Sequence, residues 1–595
     1  MRKGDAIGKA EERSCRINAV NVILIILVTF AAYLPVLRCG FVWDDASLIV
    51  DNRLVKASDG LYRFWFTTEA ADYYPLTNSL WWLEWRLWGE DATWYHLVNL
   101  LLHGVTSVLL WMILSRLKIP GALLAALLFA VHPVNVATVA WISEQKNTLS
   151  ASFYGVSILL YLRFDEEKRW QWYGLSLAAF LLALLSKTSV VMLPVVLLLC
   201  VLWRQRKVLV KDIIYCVPFF VLSLVLGLVT VWFQYHHVMR ELPVRTDTFI
   251  ARLVIAGRII WFYLFKAFVP WNLTVNYPNW KIETSDMFSY LPLIGVISCL
   301  AVFWWKRKTW GAPWLLAFGY FVITLFPVSG FMDQGFFRYS HVADHWQYLA
   351  ILAPIAFTVA SILRICGQNW RTQTFAGIVL LLFSYATWGR ALTYKSDETL
   401  WKDTLIKNSS SWLAHTNLGE ASLRSGNTRE AYLHYETALR INPNYAPAHY
   451  DLGLLLWQSS RKQLAVDHWQ QALRLEPNLS DAHYTLGVAM MTDGKTNEAI
   501  QQWQETVRID PNDAEAQNDL GSALLTVGKL REAIDHYECA VRIRPDYAQA
   551  HFNLAFAWER AGRVSEAINQ YWQTTQLDPN MIEAQRRLER LRASQ

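Results

Sequence analysis

The stretch APAHYDLGLLLWQSSRKQLAVDHWQQALRLEPNL, residues 446–479, decides the fold of the second half of this chain. Its pattern returns two steps later in AEAQNDLGSALLTVGKLREAIDHYECAVRIRPDY, residues 514–547. Every 34 residues the chain repeats a proline, a small residue and an alanine, in three series: Pro443, Pro477, Pro511, Pro545, Pro579; Gly419, Gly453, Gly487, Gly521, Ala555; and Ala431, Ala465, Ala499, Ala533, Ala567. The second half is therefore built from an internal repeat.

This period identifies the type of repeat. A 34-residue step with a small residue in the first helix, alanine in the second and proline at the turn is typical of tetratricopeptide repeats. We predict five repeats within residues 412–595, and a charged closing helix over 582–592 that caps the array. Such helix pairs stack into an α-solenoid with a concave binding surface, so a protein or peptide is the expected partner of this groove.

Two columns of the array carry polar side chains. One column contains Asn417, Asp451, Thr485, Asp519 and Asn553, which form either a ladder that holds a peptide backbone or ordinary solvated positions. The other contains His415, His449, His483 and His551, which we interpret as packing residues and not as metal ligands.

The first half has a different composition. Hydrophobic residues make up 54% of the whole chain and charged residues 17%, and apolar runs of membrane-spanning length recur between Asn18 and Thr393. We predict an all-α, polytopic membrane domain over 18–395 with about eleven spans, or alternatively twelve or thirteen. The spans lie near 18–38, 95–116, 119–138, 147–163, 171–186, 187–203, 212–234, 287–305, 310–329, 346–366 and 373–393.

One further apolar segment, 249–270, is interpreted differently. Arg252, Arg258 and Lys266 fall within an arc of about 120° on a helix. One basic face favours a helix that lies at the membrane interface or lines a polar cavity, instead of a lipid-exposed span.

Lysine and arginine clusters predict the orientation. The basic residues between Arg2 and Arg16 indicate a cytoplasmic N-terminus, residues 1–17, ahead of an uncleaved signal anchor. The loops at 39–94, 139–146, 235–286 and 330–345, a linker at 396–411 and the repeats are then expected outside. The outer side is either the bacterial periplasm, with this chain in the inner membrane, or the lumen of the endoplasmic reticulum.

Charge and cysteine content exclude other classes. The net charge of +6 comes from short clusters at helix ends, which argues against a nucleic-acid partner and fits contact with membrane lipids. The seven cysteines form no CxxC pair, so a disulfide framework or a zinc site is not expected.

An acidic pair, Asp44-Asp45, follows the first span in the sequence Phe41-Val42-Trp43-Asp44-Asp45. Carboxylates at a membrane edge are costly unless they are hydrated, paired or functional. We interpret Asp44 as a base acting on lipid-borne substrates, with Asp45 orienting the acceptor or a metal. The alternative is that the pair caps a loop helix or binds the amides of its own loop.

Four short segments resemble one family. They are Phe41–Asp45 with Asn52, Tyr74–Thr77, Tyr95–His103, and His132-Pro133 leading to Ala140–Ser143. Their order, and the order of membrane half and repeats, resemble the transmembrane and tetratricopeptide-repeat O-mannosyltransferases and their bacterial relatives, in the GT-C class. The resemblance implies a polyprenyl- or dolichyl-phosphate sugar as donor, a hydroxyl acceptor on protein, and inversion at the anomeric carbon.

The outer loops offer candidates for binding the donor phosphate and the substrates. Lys187, in a tight outer turn, and Arg338 could neutralise the phosphate. The last outer loop also contains His341, Asp344 and His345; Asp344 and His345 stand where the family segment usually has Glu and Arg.

Three further candidates lie elsewhere in the membrane half: Glu144, Arg258 and His96. No metal-ligand spacing is strong enough to predict a metal, so we assign no cofactor; a divalent cation at this site would involve Asp44 and Asp45.

Two other functions are compatible with parts of this sequence. An envelope polysaccharide ligase or polymerase would also be polytopic, but the late outer loop near 330–345 is short for one. A non-enzymatic, membrane-anchored repeat scaffold would need only one span.

Overall fold

The computed structural model describes residues 2–239, 245 and 247–594, and these residues form helices, turns and loops without a β-strand. The predicted all-α class is therefore confirmed. The chain divides into two compact units, Met1–Leu418 and Gly419–Gln595. The basic side chains between Arg2 and Arg16, and residues 240–244 and 246 of the predicted outer loop 235–286, lie outside the described residues.

The first unit contains the membrane helices and the helices of the first outer loop. Its α-helices are α1 Arg2–Tyr33, α2 Arg53–Lys56, α3 Gly60–Phe66, α4 Pro75–Trp88, α5 Ala92–Arg116, α6 Ala122–Ala130, α7 Val136–Val139, α8 Gln145–Glu167, α9 Trp170–Ser186, α10 Leu193–Gln205, α11 Val210–Phe233, α12 Phe249–Phe268, α13 Leu291–Trp305, α14 Gly311–Leu325, α15 Leu352–Cys366, α16 Trp370–Ala391 and α17 Asp397–Lys407.

Among the described residues, seven helical segments are long and apolar enough to cross a membrane: Asn18–Arg38, Ala92–Arg116, Thr188–Gln205, Val210–Val238, Met287–Trp305, Gly311–Val328 and Trp370–Tyr394. An eighth span results if Ala122–Ala130 and Pro133–Val139, which meet at 46°, are counted together. The bend follows from Pro133, which lacks an N–H to continue the helix. The chain is thus a multi-pass membrane protein.

Three other predicted spans correspond to helices that are shorter or less apolar. Those at 171–186 and 346–366 coincide with α9 and α15, which are apolar but shorter than a full span. The one at 147–163 lies inside α8, which is long enough to cross a membrane but less apolar than the seven segments above. The predicted number of about eleven spans therefore includes three helices, α8, α9 and α15, that are too short or not apolar enough to count as full spans.

The basic face of α12 is occupied by neighbouring groups of the protein. Arg252 pairs with Asp333 at 3.0 Å. Arg258 donates to Ser289 Oγ at 3.3 Å, and Lys266 donates to the carbonyl of Trp271 at 2.5 Å. These contacts explain why a basic face is stable on a helix of mostly apolar residues.

The predicted linker at 396–411 is folded. Ser396 caps α17 by accepting a hydrogen bond from the N–H of Thr399. Leu400 and Trp401 of α17 are buried in a cluster that also contains Leu413. This segment consequently belongs to the packed part of the first unit.

The second unit is the repeat array. Its helices, beginning with the one that crosses from the first unit, are α18 Trp412–Arg424, α19 Thr428–Ile441, α20 Ala446–Gln458, α21 Lys462–Leu475, α22 Ser480–Thr492, α23 Thr496–Ile509, α24 Ala514–Thr526, α25 Leu530–Ile543, α26 Ala548–Arg560, α27 Val564–Leu577 and α28 Ile582–Ala593. A Cβ at Gly453 would lie 2.4 Å from Trp469 Nε1, so the repeated glycine makes room for the aromatic ring of the partner helix.

The histidine column does not form a simple packed core. Nε2 of His449, His483 and His551 each lies 3.0 Å from the carbonyl of the proline six residues earlier. The other ring nitrogen contacts the residue 19 positions later, which is His468 in one repeat and a glutamine in the other two.

Candidate active site

Segments that are far apart in the sequence line one polar cavity of about 290 Å³ in the first unit. The lining includes Trp43, Asp44, Asp72, Tyr74, Trp141, Glu144, Lys146, Lys187, Gln234, Gln334, Arg338, Tyr339, His345 and Trp346. All of these residues lie in segments predicted to be outside the membrane on the outer face, or at the adjoining helix ends. We refer to this space as the polar cavity.

The backbone at Trp43 positions Asp44. Trp43 has φ of +49°, in the left-handed region that a bulky residue rarely adopts. Its ring stacks on Trp141 at 5.0 Å and meets Trp401 edge-on at 5.1 Å, while its N–H donates to Asp397 at 2.8 Å. These contacts hold a conformation that costs on the order of 1–3 kcal/mol, and the next residue, Asp44, lines the cavity.

Asp45 has a different environment. Its carboxylate is fully buried and accepts hydrogen bonds from the N–H of Val42 at 2.9 Å and of Ser143 at 2.6 Å. Burial raises the pKa of Asp45 to about 7, and the two amides act in the opposite direction. The carboxylate thus binds one amide of its own loop, as in the alternative considered from the sequence, and also ties that loop to the turn around Ser143.

A buried charge cluster forms the opposite side of the cavity. Glu144 is 2% exposed and pairs with Lys146 at 3.1 Å and with Lys187 at 3.0 Å. Asn147 donates to the same carboxylate at 2.5 Å. Two ammonium groups share one carboxylate, so the cluster has an excess positive charge.

The pKa values of Glu144 and His345 agree with an ionised carboxylate that is held by two lysines. Burial by itself raises the pKa of Glu144, but neighbouring His345, Lys146 and Lys187 take it well below the ordinary value. Burial lowers the pKa of His345 to about 3, so His345 is neutral at pH 7. We therefore attribute the ionisation of Glu144 to the two lysines.

Two carboxylates of the cavity titrate close to neutrality. Burial raises the pKa of Asp44 to about 6, while Lys146 lowers it and Glu144 raises it. Burial also raises the pKa of Asp72 to about 6, against the hydrogen bond that Gln234 donates at 2.6 Å. Both groups are mostly ionised at pH 7 and can accept a proton.

Sequence reasoning missed some of these groups. Lys146 ends the predicted outer loop 139–146, and an outer lysine next to Glu144 was a signal that could have been used. Asp72 precedes the aromatic pair Tyr73-Tyr74, which resembles an ordinary interfacial belt. Gln234 stands at the end of a span and gave no signal.

Other predicted residues lie outside the cavity lining. Nδ1 of His341 accepts a hydrogen bond from the N–H of Trp280 at 3.4 Å, and the two rings stack. Asp344 accepts a hydrogen bond from Tyr277 at 2.8 Å, Arg258 contacts Ser289, and His96 is fully buried in α5. Within the described residues, no group of three or more His, Cys, Asp or Glu could hold a metal ion.

A second, mostly apolar space of about 330 Å³ adjoins the polar cavity. The two share six lining residues: Tyr74, Lys187, Gln234, Gln334, His345 and Trp346. Away from them, the second space runs along Val191, Leu224, Leu228 and Leu349. We refer to it as the apolar groove.

Parts of both halves of the chain match models of known protein families. Residues 72–232 match the family model described as dolichyl-phosphate-mannose-protein mannosyltransferase. Residues 419–460, 491–528 and 518–581 match models of tetratricopeptide repeats. The solved structure of YrrB, a repeat protein, covers 31% of this chain and 96% of its own at 21% identity and a TM-score of 0.29.

Several curated proteins that are named protein O-mannosyl-transferases match parts of this chain. One from Caenorhabditis elegans is 24% identical over 469 residues, which cover 74% of this chain and 65% of the worm protein. TMTC3 from Homo sapiens is 32% identical over 179 residues, which cover 28% of this chain and 20% of the human protein. The matches therefore span less than two thirds of these relatives. In parts of its membrane half and of its repeats, this chain is therefore similar to proteins named protein O-mannosyl-transferases.

Proposed function

We propose that this protein is a GT-C glycosyltransferase that moves a sugar from a polyprenyl or dolichyl phosphate to a hydroxyl group of a protein, with inversion. The observation that carries the proposal is the polar cavity, where Asp44 and Asp72 share one space with the cluster of Glu144, Lys146 and Lys187 beside an apolar groove. Mannose is the expected sugar because the relatives are named O-mannosyl-transferases.

Asp44 acts as the base. An acceptor hydroxyl must lose its proton as its oxygen attacks the anomeric carbon, and a positioned carboxylate contributes about 10²–10⁴-fold to such a step. Asp44 lines the cavity, whereas Asp45 is fully engaged by backbone amides. The proton ends on Asp44 Oδ, the new bond joins the acceptor oxygen to the anomeric carbon, and the old bond to the phosphate oxygen breaks.

Lys146 and Lys187 stabilise the leaving phosphate. Charge develops on the phosphate as the bond to the sugar breaks, and fixed positive groups in a site with little water stabilise it strongly. Glu144 holds both ammonium groups in place through its two oxygens. Arg338, which also lines the cavity, adds a third positive charge.

The apolar groove accommodates the lipid next to the phosphate. Lys187 lines both spaces, so a phosphate at this residue would place its lipid chain beside Val191, Leu224 and Leu228. A single attack from the side opposite the lipid phosphate predicts inversion at the anomeric carbon.

The repeat array supplies the contact with the protein acceptor or with a partner. Its concave face follows from the stacking of helix pairs. The cavity loops and the array are both predicted on the outer side, so acceptor and donor meet in the periplasm or in the lumen of the endoplasmic reticulum.

The test is transfer from labelled lipid-phosphate mannose to an acceptor protein by purified protein and by the Asp44→Asn variant. We expect transfer to fall at least about 100-fold while folding and membrane insertion are kept. Asp51→Asn is the matched control, because Asp51 is an exposed acid in the same loop. Unchanged transfer by Asp44→Asn would remove Asp44 as the base.

The same assay separates the competing functions. A polysaccharide ligase would accept a lipid-linked glycan and a saccharide acceptor in place of a protein. A scaffold would neither bind nor turn over any lipid-phosphate sugar. The buried ionised cluster around Glu144 argues against the scaffold, because an anchor gains nothing from desolvated charges.

A further inference from the structure

A third space lies deeper in the membrane half, beyond the two that form the proposed active site. It is almost entirely apolar, holds about 210 Å³, and is lined by residues of α5, α8, α10, α14 and α15. We refer to it as the inner chamber, and define it by Tyr154, Ile158, Trp203, Tyr320, Ala353 and Arg364. Nothing in the reaction proposed above uses it.

The inner chamber continues the apolar groove along shared helices. On α8, Asn147 and Ser150 line the groove, while Ala151, Tyr154 and Ile158 line the chamber. These positions follow steps of three and four residues, so they lie on one face of the helix.

Other residues also place the groove and the chamber next to each other. On α14, Thr324 lines the groove and Tyr320 lines the chamber, one helical turn apart. Leu349 lines both spaces, so they meet at this side chain. We refer to groove and chamber, which adjoin at Leu349, as the apolar lane, and Lys187 lies at the groove end of it.

The length of this lane limits what could fill it. Trp203 lies 16 residues after Lys187; α10 accounts for the last ten of them, or about 15 Å at 1.5 Å per residue, and a 3-10 turn and a short loop at 188–192 add to that length. Half of a bilayer's hydrocarbon core measures about 15 Å. A lipid with its phosphate at Lys187 therefore needs a chain longer than one leaflet to reach Trp203. A polyprenyl chain has that length, whereas an ordinary phospholipid chain does not.

We propose that the inner chamber binds the distal isoprene units of the lipid donor, so that the protein recognises a long polyprenyl chain along its length. This inference rests on the proposed function for the identity of the lipid. Its second support is position: the chamber ends beside Leu117, Pro120 and Arg364, next to loops whose basic residues are predicted to be cytoplasmic. The lane thus leads from the outer face past the middle of the membrane.

The direct test is cross-linking, which needs no turnover. Full-length protein in detergent is incubated with undecaprenyl or dolichyl phosphate that carries a photoreactive group at the end of the chain. We expect labelled peptides from α8, α14 and α15, and at least a tenfold loss of that label in Ala353→Phe, which fills the chamber.

The control variant fills a different space of similar size. Ala376→Phe narrows an apolar pocket of about 200 Å³ between α6, α12, α15 and α16. It should leave the labelling unchanged. Label on the outer surfaces of other helices, or equal loss in both variants, would overturn the proposal. Competition by an anionic phospholipid at equal concentration would assign the chamber to a cytoplasmic-leaflet lipid held at Arg364, and would also overturn it.

Kinetics distinguish this inference from the proposed function. With a long-chain donor, Ala353→Phe should raise KM at least tenfold, whereas with citronellyl phosphate mannose it should change KM less than twofold. Turnover of the short donor supports the proposed function whatever happens in the chamber. An identical change in KM for both donors would reject the chamber as a site for the distal chain.

Discussion

The polar cavity and the repeat array are organised in opposite ways. In the array, one arrangement recurs every 34 residues, so Gly453 and Trp469 have counterparts in Gly487 and Trp503. In the cavity each group occurs once, and its neighbours come from distant segments: Asp44, Lys146 and Lys187. A change in the cavity should therefore remove a function, whereas a change in the array should weaken one of several similar interfaces.

Lys187→Met should give the largest effect, because it removes a positive charge from the phosphate site and leaves Glu144 with one lysine. We expect kcat for sugar transfer to fall about 10²–10³-fold, as for loss of one charge-stabilising donor. Lys281→Met is the control, since Lys281 is an exposed outer lysine. A loss limited to KM, with kcat unchanged, would show that Lys187 only binds the donor.

Gly453→Ala tests the array. The added Cβ would meet Trp469 Nε1 at 2.4 Å, and overpacking of this kind costs about 1–3 kcal/mol. Thermal proteolysis of the full chain, read from peptides of residues 419–595, should show earlier unfolding with transfer kept by folded protein.

Gly521→Ala tests the same prediction at a position where the added Cβ comes less close to the neighbouring ring. Its Cβ would lie 2.8 Å from Tyr537 Cε1, and the equivalent position of the last repeat already holds Ala555. The destabilisation should be smaller than for Gly453→Ala. The reverse order would contradict the view that close approach of the tryptophan sets the cost.

The pH dependence of transfer is the third prediction. A base works only when it is unprotonated, and the pKa of Asp44 is raised by burial to about 6. Below about pH 6, kcat/KM should fall tenfold per pH unit, and above it the rate should level off. Asp72→Asn should keep this limb, since Asp72 also titrates near pH 6 but is not assigned as the base. Loss of the limb in that variant would transfer the role to Asp72.

The smallest effect is expected in the histidine column. Nδ1 of His449 lies 2.9 Å from Nδ1 of His468, and burial lowers the pKa of both rings. The folded array therefore binds these protons less readily than the unfolded chain. Its stability is full above the ordinary histidine pKa and decreases as the pH falls from there through the folded values.

His468→Gln copies the histidine–glutamine contact of the neighbouring repeat, His483 with Gln502. It should lessen the fall in unfolding temperature between pH 7 and pH 5, measured by the same proteolysis. An unchanged pH dependence would show that other groups cause the decrease.

The sequence predicted the array closely and the cavity only in part. The closing helix expected at 582–592 is observed as Ile582–Ala593. Among the predicted site residues, five line the cavity: Asp44, Glu144, Lys187, Arg338 and His345. Asp45, His341, Asp344, Arg258 and His96 do not line it.

The two members of the acidic pair show why sequence reasoning stops there. Asp44 and Asp45 are adjacent, identical in type and equally close to the first span. The left-handed backbone at Trp43 and the amide of Ser143 separate them, one to the cavity and one to the backbone. Neither feature leaves a pattern in the sequence.

The sequence by itself determined the periodic and the apolar parts of this protein. A repeat contacts its neighbours at a fixed step, and a membrane helix must be long and apolar, so both leave local signals. Only the tertiary structure decided which charges meet around Glu144 and where the apolar lane runs. The reason is physical: buried charges are stable only with specific partners, and those partners come from loops separated by many helices.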